Sequence, residues 1–200
     1  MKIIEPSFRI LHIQDNALDI IQSAARICYA SEPQGNRDAF LKNLIKLGHM
    51  TPFEQASATV KIVCDRGVMA ELTRHRLASF NVQSTRYCNF SKGKFGGEIT
   101  VVRPSSWNVG SAPYEEWAQH MLACEKAYLS LLEKGSTPQE ARSVLPNSLA
   151  TEIQITVNFR ELRHILKLRC SNTAHPDMRR LMLPMLEELK QRVPVVFDDI

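Results

Sequence analysis

The 200-residue sequence contains no Cys-x-x-Cys pair, and its five cysteines, Cys28, Cys64, Cys88, Cys124 and Cys170, are odd in number and widely spaced. That pattern argues against both a disulfide framework and a zinc ribbon. The six histidines show no His-Glu-x-x-His or comparable ligand spacing, so no metal site is expected. A Gly-x-Gly-x-x-Gly loop is missing too, which removes the usual dinucleotide fingerprint. Apolar runs fall far short of a membrane span. The opening residues, Met1-Lys2-Ile3-Ile4-Glu5-Pro6, lack the basic-then-apolar layout of a secretory signal. A cytoplasmic protein with no membrane partner is therefore expected. No repeat, low-complexity tract or linker interrupts the chain, whose length suits one domain over residues 1–200.

What is present is an ordinary globular balance, with 44% hydrophobic and 23% charged residues. The net charge of +4 is a mild pull toward an anionic ligand, too weak to separate nucleic acid from a phosphorylated metabolite. Periodicity supplies more. Lys2–Ile4 and Phe8–Ile13 read as strands, and Ala17, Ile20, Ile21, Ala24, Ile27 and Cys28 follow helical spacing. A second helix is predicted from Arg37 to about Leu47, ending at Gly48, a residue suited to a helix C-terminus. Ala58, Val60 and Ile62 alternate with Thr59, Lys61 and Val63 in a strand. Asp65 is placed to cap a helix running through Val68, Met69 and Leu72 into Arg74–Arg76. Further strands are predicted at Glu98–Val102 and Thr151–Val157. Further helices are predicted at Tyr114–Glu133, Arg160–Arg169 and Met178–Arg192, the last accommodating Pro184. Strands and helices mix without a regular βαβ alternation, which predicts an α+β fold with a largely antiparallel sheet flanked by helices.

The polar segment from Arg74 to Asn89 carries the chemistry. Arg74, His75 and Arg76 place three cationic or titratable groups together, and Ser79, Asn81, Gln83, Ser84, Thr85 and Arg86 crowd hydrogen-bonding groups into one loop. Guanidinium forks match phosphate oxygens, and hydroxyls and amides complete a shell around a phosphate or a heterocycle. Basic residues in a last helical turn are also favoured by the helix dipole alone.

Arg74-His75-Arg76, seven residues, then Ser84 resembles the signature of the flavin-dependent thymidylate synthases, and Ser84-Thr85-Arg86-Tyr87 is similar to the family's Ser-x-Arg-Tyr. Other segments agree in order and spacing. Gly48-His49-Met50-Thr51-Pro52-Phe53-Glu54 resembles the family's Gly-His-x-Ser/Thr-Pro-Phe-Glu, and Ala141-Arg142-Ser143-Val144-Leu145-Pro146 its Ala-Arg-x-x-Leu-Pro. Arg160-Glu161-Leu162-Arg163-His164, with Leu168-Arg169 and Ala174-His175-Pro176, resembles its C-terminal helix and loop. The resemblance covers nearly the whole chain.

It implies reductive methylation of dUMP to dTMP, with methylenetetrahydrofolate as carbon donor, FAD as hydride carrier and NADPH as reductant, in a homotetramer whose sites lie where subunits meet. It implies FAD contacts from Thr51, Arg74, His75, Arg76, Asn158 and His164, with His49 nearby. It implies dUMP contacts from Glu71, Arg74, Gln83, Ser84, Thr85, Arg86, Arg142 and Arg169, and gives Arg169 the catalytic role of polarising the uracil ring. No cysteine sits in a nucleophile motif, and Ser84 has no Ser–His–Asp arrangement beside it, so positioning is its expected role. The chain departs from the family at Val82 and Gln83, where many relatives carry an acidic residue at one or the other, and at Glu71, where many carry glutamine.

Each residue has a plainer structural reading: His164 as a core histidine, Arg142 as a surface cation, Asn158 as a strand-end cap. Two alternative functions stay open. One is a family member that keeps flavin and nucleotide but has lost synthesis. The other is a nucleic-acid-binding module using the basic helix of Arg160, Arg163, His164, Lys167 and Arg169, although Glu161, Asp177, Glu187 and Glu188 interleave with the cations.

Overall fold

The computed structural model describes residues 1–28, 30–32 and 35–200. Six strands and eight α-helices are distributed along them without regular alternation. The strands are β1 (Lys2–Ile4), β2 (Ser7–Ile13), β3 (Ser57–Asp65), β4 (Ala78–Val82), β5 (Thr100–Val102) and β6 (Ala150–Asn158). The helices are α1 (Ala17–Ile27), α2 (Arg37–Lys46), α3 (Arg66–Leu72), α4 (Ala112–Glu133), α5 (Pro138–Ala141), α6 (Phe159–Arg169), α7 (Pro176–Arg192) and α8 (Pro194–Phe197).

Four strands form one sheet in the order β2-β3-β6-β4. Its antiparallel sense follows from the pairing. Gln14 N donates to Ser57 O, so the end of β2 meets the start of β3. The Thr59 and Thr156 hydroxyls lie 3.0 Å apart, and Phe159 N donates to Ala56 O, so β3 and β6 run in opposite directions. Gln83 N donates to Glu152 O, which brings the end of β4 to the start of β6. The α+β class and the largely antiparallel sheet expected from the sequence are therefore observed. A separate parallel pair joins β1 to β5.

Strict alternation gives the central strands their two faces. Ala58, Val60, Ile62 and Cys64 of β3 are buried, as are Thr151, Ile153, Ile155 and Val157 of β6. A period of two sends these side chains to one face and the polar set to the other, which is why the pattern was legible.

Contacts gather the chain into two compact units: Met1–Ser7, Ile62–Arg74 and Asn81–Ile153 in the first, and Phe8–Lys61, His75–Phe80 and Gln154–Ile200 in the second. In the first unit, Tyr114, Trp117, Met121 and Tyr128 of α4 pack with Phe90, Ile99, Val101 and Leu149. Glu125 ties this core to the backbone, accepting from Ile99 N at 2.8 Å. In the second unit, α1, α2, α6, α7 and α8 contribute Ile21, Leu41, Phe159, Leu166, Leu189 and Phe197, all buried. The Phe159 and Phe197 rings meet edge to face at 5.7 Å. Helix α7 continues through Pro184 as expected. Among the described residues no helix is long and apolar enough to cross a membrane.

Two elements differ from the sequence reading. Helix α3 stops at Leu72, with Asp65 Oδ1 capping Val68 N as predicted, and Thr73 closing the C-terminus. Arg74–Arg76 therefore lie in the turn beyond the helix rather than on it. The stretch Ala78–Val82, read as part of a polar loop, is strand β4 at the sheet edge.

Candidate functional site

In the second unit His75 is buried, and three side chains of α6 face its ring. Helix α6 begins at Asn158, the last residue of β6, whose Oδ1 accepts from Glu161 N at 2.9 Å. The cap fixes where the helical face starts. Glu161 and His164, three residues apart, then project on the same side, and Arg169 follows in the last turn. His75 Nδ1 lies 3.3 Å from Glu161 Oε1. Its Nε2 accepts from Arg169 Nε at 3.0 Å. The His164 ring meets it edge to face, with centroids 5.8 Å apart. Burial, then the Arg169 charge, hold the His75 imidazole below its ordinary pKa, against a smaller upward pull from Glu161. The ring is neutral at neutral pH.

Glu161, His75 and His164 also offer one ligand atom each within 4.8 Å of one another. The ring nitrogens of His75 already face a carboxylate and a guanidinium, and the neighbouring cation opposes an added metal charge. Glu161, His75 and Arg169 form a hydrogen-bonded chain, with the His164 ring edge-on beside it.

Gly48 at φ +75° ends α2 and starts the segment with His49 and Thr51. Thr51 opens a short 3-10 turn, Thr51–Gln55, anchored by buried Pro52 and Phe53. Glu54 of this turn pairs with Arg160 of α6 at 2.5 Å. His49 and Thr51 themselves are exposed. The segments that carry Thr51, Asn158 and His164 thus belong to one unit together with His75, Arg76 and Arg169.

In the first unit, Gln83 follows β4 and is occupied by the backbone: its Oε1 accepts from Glu152 N at 3.3 Å, and its Nε2 approaches Cys88 Sγ at 3.7 Å. Ser84 Oγ accepts from Arg86 N, which folds the loop into a tight turn, and Thr85 is buried. Arg86 Nε donates to Gln139 Oε1 of α5 at 2.9 Å. Since α5 ends at Ala141, this bond brings the Ser84–Arg86 turn to the helix that leads directly into the exposed Arg142. Glu71 is half-buried in the last turn of α3, and Arg74 is exposed just beyond it.

Arg74 and Arg76 bear on whether a flavin dinucleotide suits these residues. Both are exposed, and among the described residues no ion pair or hydrogen bond engages either guanidinium. Open, unneutralised cations fit a pyrophosphate, and a neutral buried imidazole suits a redox ring. The residues present fit the group.

A family model described as thymidylate synthase complementing protein matches residues 9–195. The flavin-dependent thymidylate synthase of Geobacter sulfurreducens is 37% identical over 186 residues, covering 88% of this chain and 78% of the relative. The enzymes of the same name from Pyrococcus abyssi and Pyrococcus furiosus are 34% and 31% identical, covering 77% and 88% of this chain and 63% and 75% of the relatives. The chain belongs to the flavin-dependent thymidylate synthase family. It is an enzyme of that family, as the resemblance implied.

Two residues of this family member escape sequence reasoning. Glu161 reads as one of the acids on a solvated helix, yet it is buried against His75. Arg163 reads as part of a basic stripe, yet it is buried and paired bidentately with Asp199 at 2.6 and 2.7 Å. Arg160, Lys167 and Arg169 of that helix also have partners, in Glu54, Asp199 and His75.

Proposed function

We propose that this enzyme makes dTMP by reductive methylation of dUMP, with methylenetetrahydrofolate as carbon donor and NADPH as reductant. FAD, when bound, supplies the hydride-carrying centre. The observation that carries this reading is the Arg169–His75 contact, which joins the Arg-His-Arg segment to the last turn of α6 across 94 positions of sequence. Two stretches that the family resemblance marks separately are one hydrogen-bonded array.

In this reading Arg74 and Arg76 attract the flavin's phosphates, while His75, His164, Asn158 and Thr51 line its ring system. Asn158 keeps its capping bond and offers its amide nitrogen to the flavin. Ser84, Thr85, Arg86 and Arg142 hold dUMP, with Arg74 and Glu71 beside them. The bonds of Gln83 to Glu152 and Cys88 support a second-hand role for this residue, in shaping the turn. Arg169 stabilises negative charge that develops on the pyrimidine carbonyls, an oxyanion-hole type of assistance. No thiol or hydroxyl nucleophile is required. The protein acts as a cytoplasmic homotetramer, the 200 residues working as one domain within each subunit.

The test is dTMP formation by purified protein with dUMP, methylenetetrahydrofolate and NADPH, with and without added FAD. Flavin-dependent dTMP that falls at least a hundredfold, about 2.7 kcal/mol, in Arg169→Ala supports the reading. Bound flavin without dTMP favours the alternative in which synthesis has been lost, with Val82 and Gln83 the first positions to revert to an acid. Neither flavin nor dTMP refutes it.

A further inference from the structure

Glu161 carries no role in the motif-based assignment, yet its carboxylate is one of the few buried charged groups among the described residues. Its side chain is 11% exposed and that of His75 is 5% exposed. On one side of the His75 ring, Nδ1 lies 3.3 Å from Glu161 Oε1. On the other, Nε2 is 3.0 Å from Arg169 Nε. An arginine N–H donates and has no lone pair to offer, so Nε2 must be the unprotonated nitrogen. The proton of the neutral ring then sits on Nδ1, where the carboxylate accepts it.

We propose that Glu161 is a positioning residue for the reaction: it holds His75 as the Nδ1–H tautomer, so that Nε2 accepts from Arg169 and fixes the orientation of that guanidinium. The proposal rests on the assignment of Arg169 to the pyrimidine made above. Without the carboxylate, the Nδ1 proton has no buried acceptor at this position. The ring then gains by rotating or by moving its proton to Nε2, and either change turns a donor or a carbon toward Arg169. The cost of burying a carboxylate is not recovered by helix-dipole attraction alone, since an exposed acid in the first turn gains that equally. His164 closes a further side of the ring, which limits its rotation while both bonds are intact. Glu161 thus acts through His75 and touches neither nucleotide nor flavin in this account.

The experiment measures kcat and KM for dUMP, with saturating FAD, in Glu161→Ala, Glu161→Gln, His75→Ala and the Glu161→Ala/His75→Ala double variant. Loss of one charge-assisted hydrogen bond is expected to lower kcat about 10- to 100-fold in Glu161→Ala. Glutamine presents a carbonyl oxygen to the same Nδ1–H, so Glu161→Gln is expected to restore most of the rate. In the His75→Ala background, Glu161→Ala is expected to cost nothing further, because the ring it acts through is gone.

A purely structural Glu161 gives equal losses in Ala and Gln variants and multiplicative losses in the double variant; either result overturns the proposal. So does a wild-type rate in Glu161→Ala. A readout independent of turnover is the 15N–1H long-range correlation spectrum of histidine-labelled holoenzyme, with His75 assigned by its absence in His75→Ala. Protonated Nδ1 supports the proposal and protonated Nε2 overturns it. This arm still decides if wild-type protein makes no dTMP, an outcome that refutes the functional reading instead.

Discussion

Asp199→Ala is expected to destabilise the second unit by leaving a buried guanidinium uncompensated. Arg163 is 4% exposed at its side chain and Asp199 47%. Two parallel bonds of 2.6 and 2.7 Å join them, and Arg163 also donates to the Val196 carbonyl. Breaking a fully buried pair from one side costs about 3–5 kcal/mol. Here Asp199 is half open to water, so the cost is discounted to about 1.5–3 kcal/mol. For a chain of this size that corresponds to a fall in Tm of about 3–12 °C. The assay is thermal unfolding at neutral pH of wild type, Asp199→Ala and Arg163→Met/Asp199→Ala. The double variant removes the stranded charge and keeps an unbranched apolar stem, so it is expected to melt above the single variant. The Arg163 hydrogen bonds hold the Asp199 carboxyl below its ordinary 3.8. Its contribution is therefore present above 3.8 and is lost as pH falls through the lower folded value, where the melting curves of wild type and Asp199→Ala converge. An Asp199→Ala protein that melts with wild type, or a double variant that melts below the single, refutes the argument.

Other expectations follow from single observations. Burial first, and Arg169 second, keep His75 below its ordinary 6.5, so the unfolded chain binds the proton before the folded one and stability falls as pH drops from 6.5 toward the folded value. The stability difference between wild type and His75→Gln, measured by urea unfolding from about pH 8 to about pH 5, is expected to shrink over that window. Burial pushes the Cys64 thiol up to about 12 and Cys170 to about 11, whereas Cys28 is exposed. A disulfide reagent at mildly alkaline pH is expected to label Cys28 first and Cys64 only after unfolding, and dTMP formation is expected to survive labelling of Cys28. Gly48→Ala forces a left-handed φ of +75° on a residue with a Cβ, at a cost of about 1–2 kcal/mol, read as a lower Tm.

The elements that sequence revealed are those whose periodicity is written in large side chains. Strands β3 and β6 alternate buried and more exposed residues over nine positions each, the buried set being apolar except for Thr151, and both lie in the interior of the sheet. Strand β4 has the same period in Ala78, Phe80 and Val82, but its apolar face is only half-buried at the sheet edge, and Ser79 and Asn81 give it the composition of a loop. The sequence pattern extends α3 to Arg76 because Arg74 and Arg76 are good helix formers. The chain instead closes at Thr73, whose N–H bonds to Met69 O, and Arg74 N turns back to Glu71 O. Motifs single out the candidate site residues by type but carry no information on burial. His75 and Glu161 illustrate the gap. The roles proposed for them depend on a contact between a turn and a helix 86 positions apart, and only the fold supplies it. Arg163 shows the reverse, since a cation in a motif-bearing helix is a tie to the C-terminal segment, and its partner Asp199 lies beyond the recognisable pattern. Asn158 serves the strand-end and helix-cap role that its position suggested on plain grounds, alongside the flavin contact proposed for it.

The most direct test of the central claim follows the transferred carbon. Purified protein is incubated with dUMP, NADPH and methylenetetrahydrofolate labelled with 13C at the methylene carbon, with FAD added or withheld. The label is expected in the methyl group of dTMP, formed in proportion to bound flavin and absent when NADPH is omitted. Labelled dTMP at the same rate without flavin, or no labelled dTMP from a protein that fails to bind flavin, contradicts it.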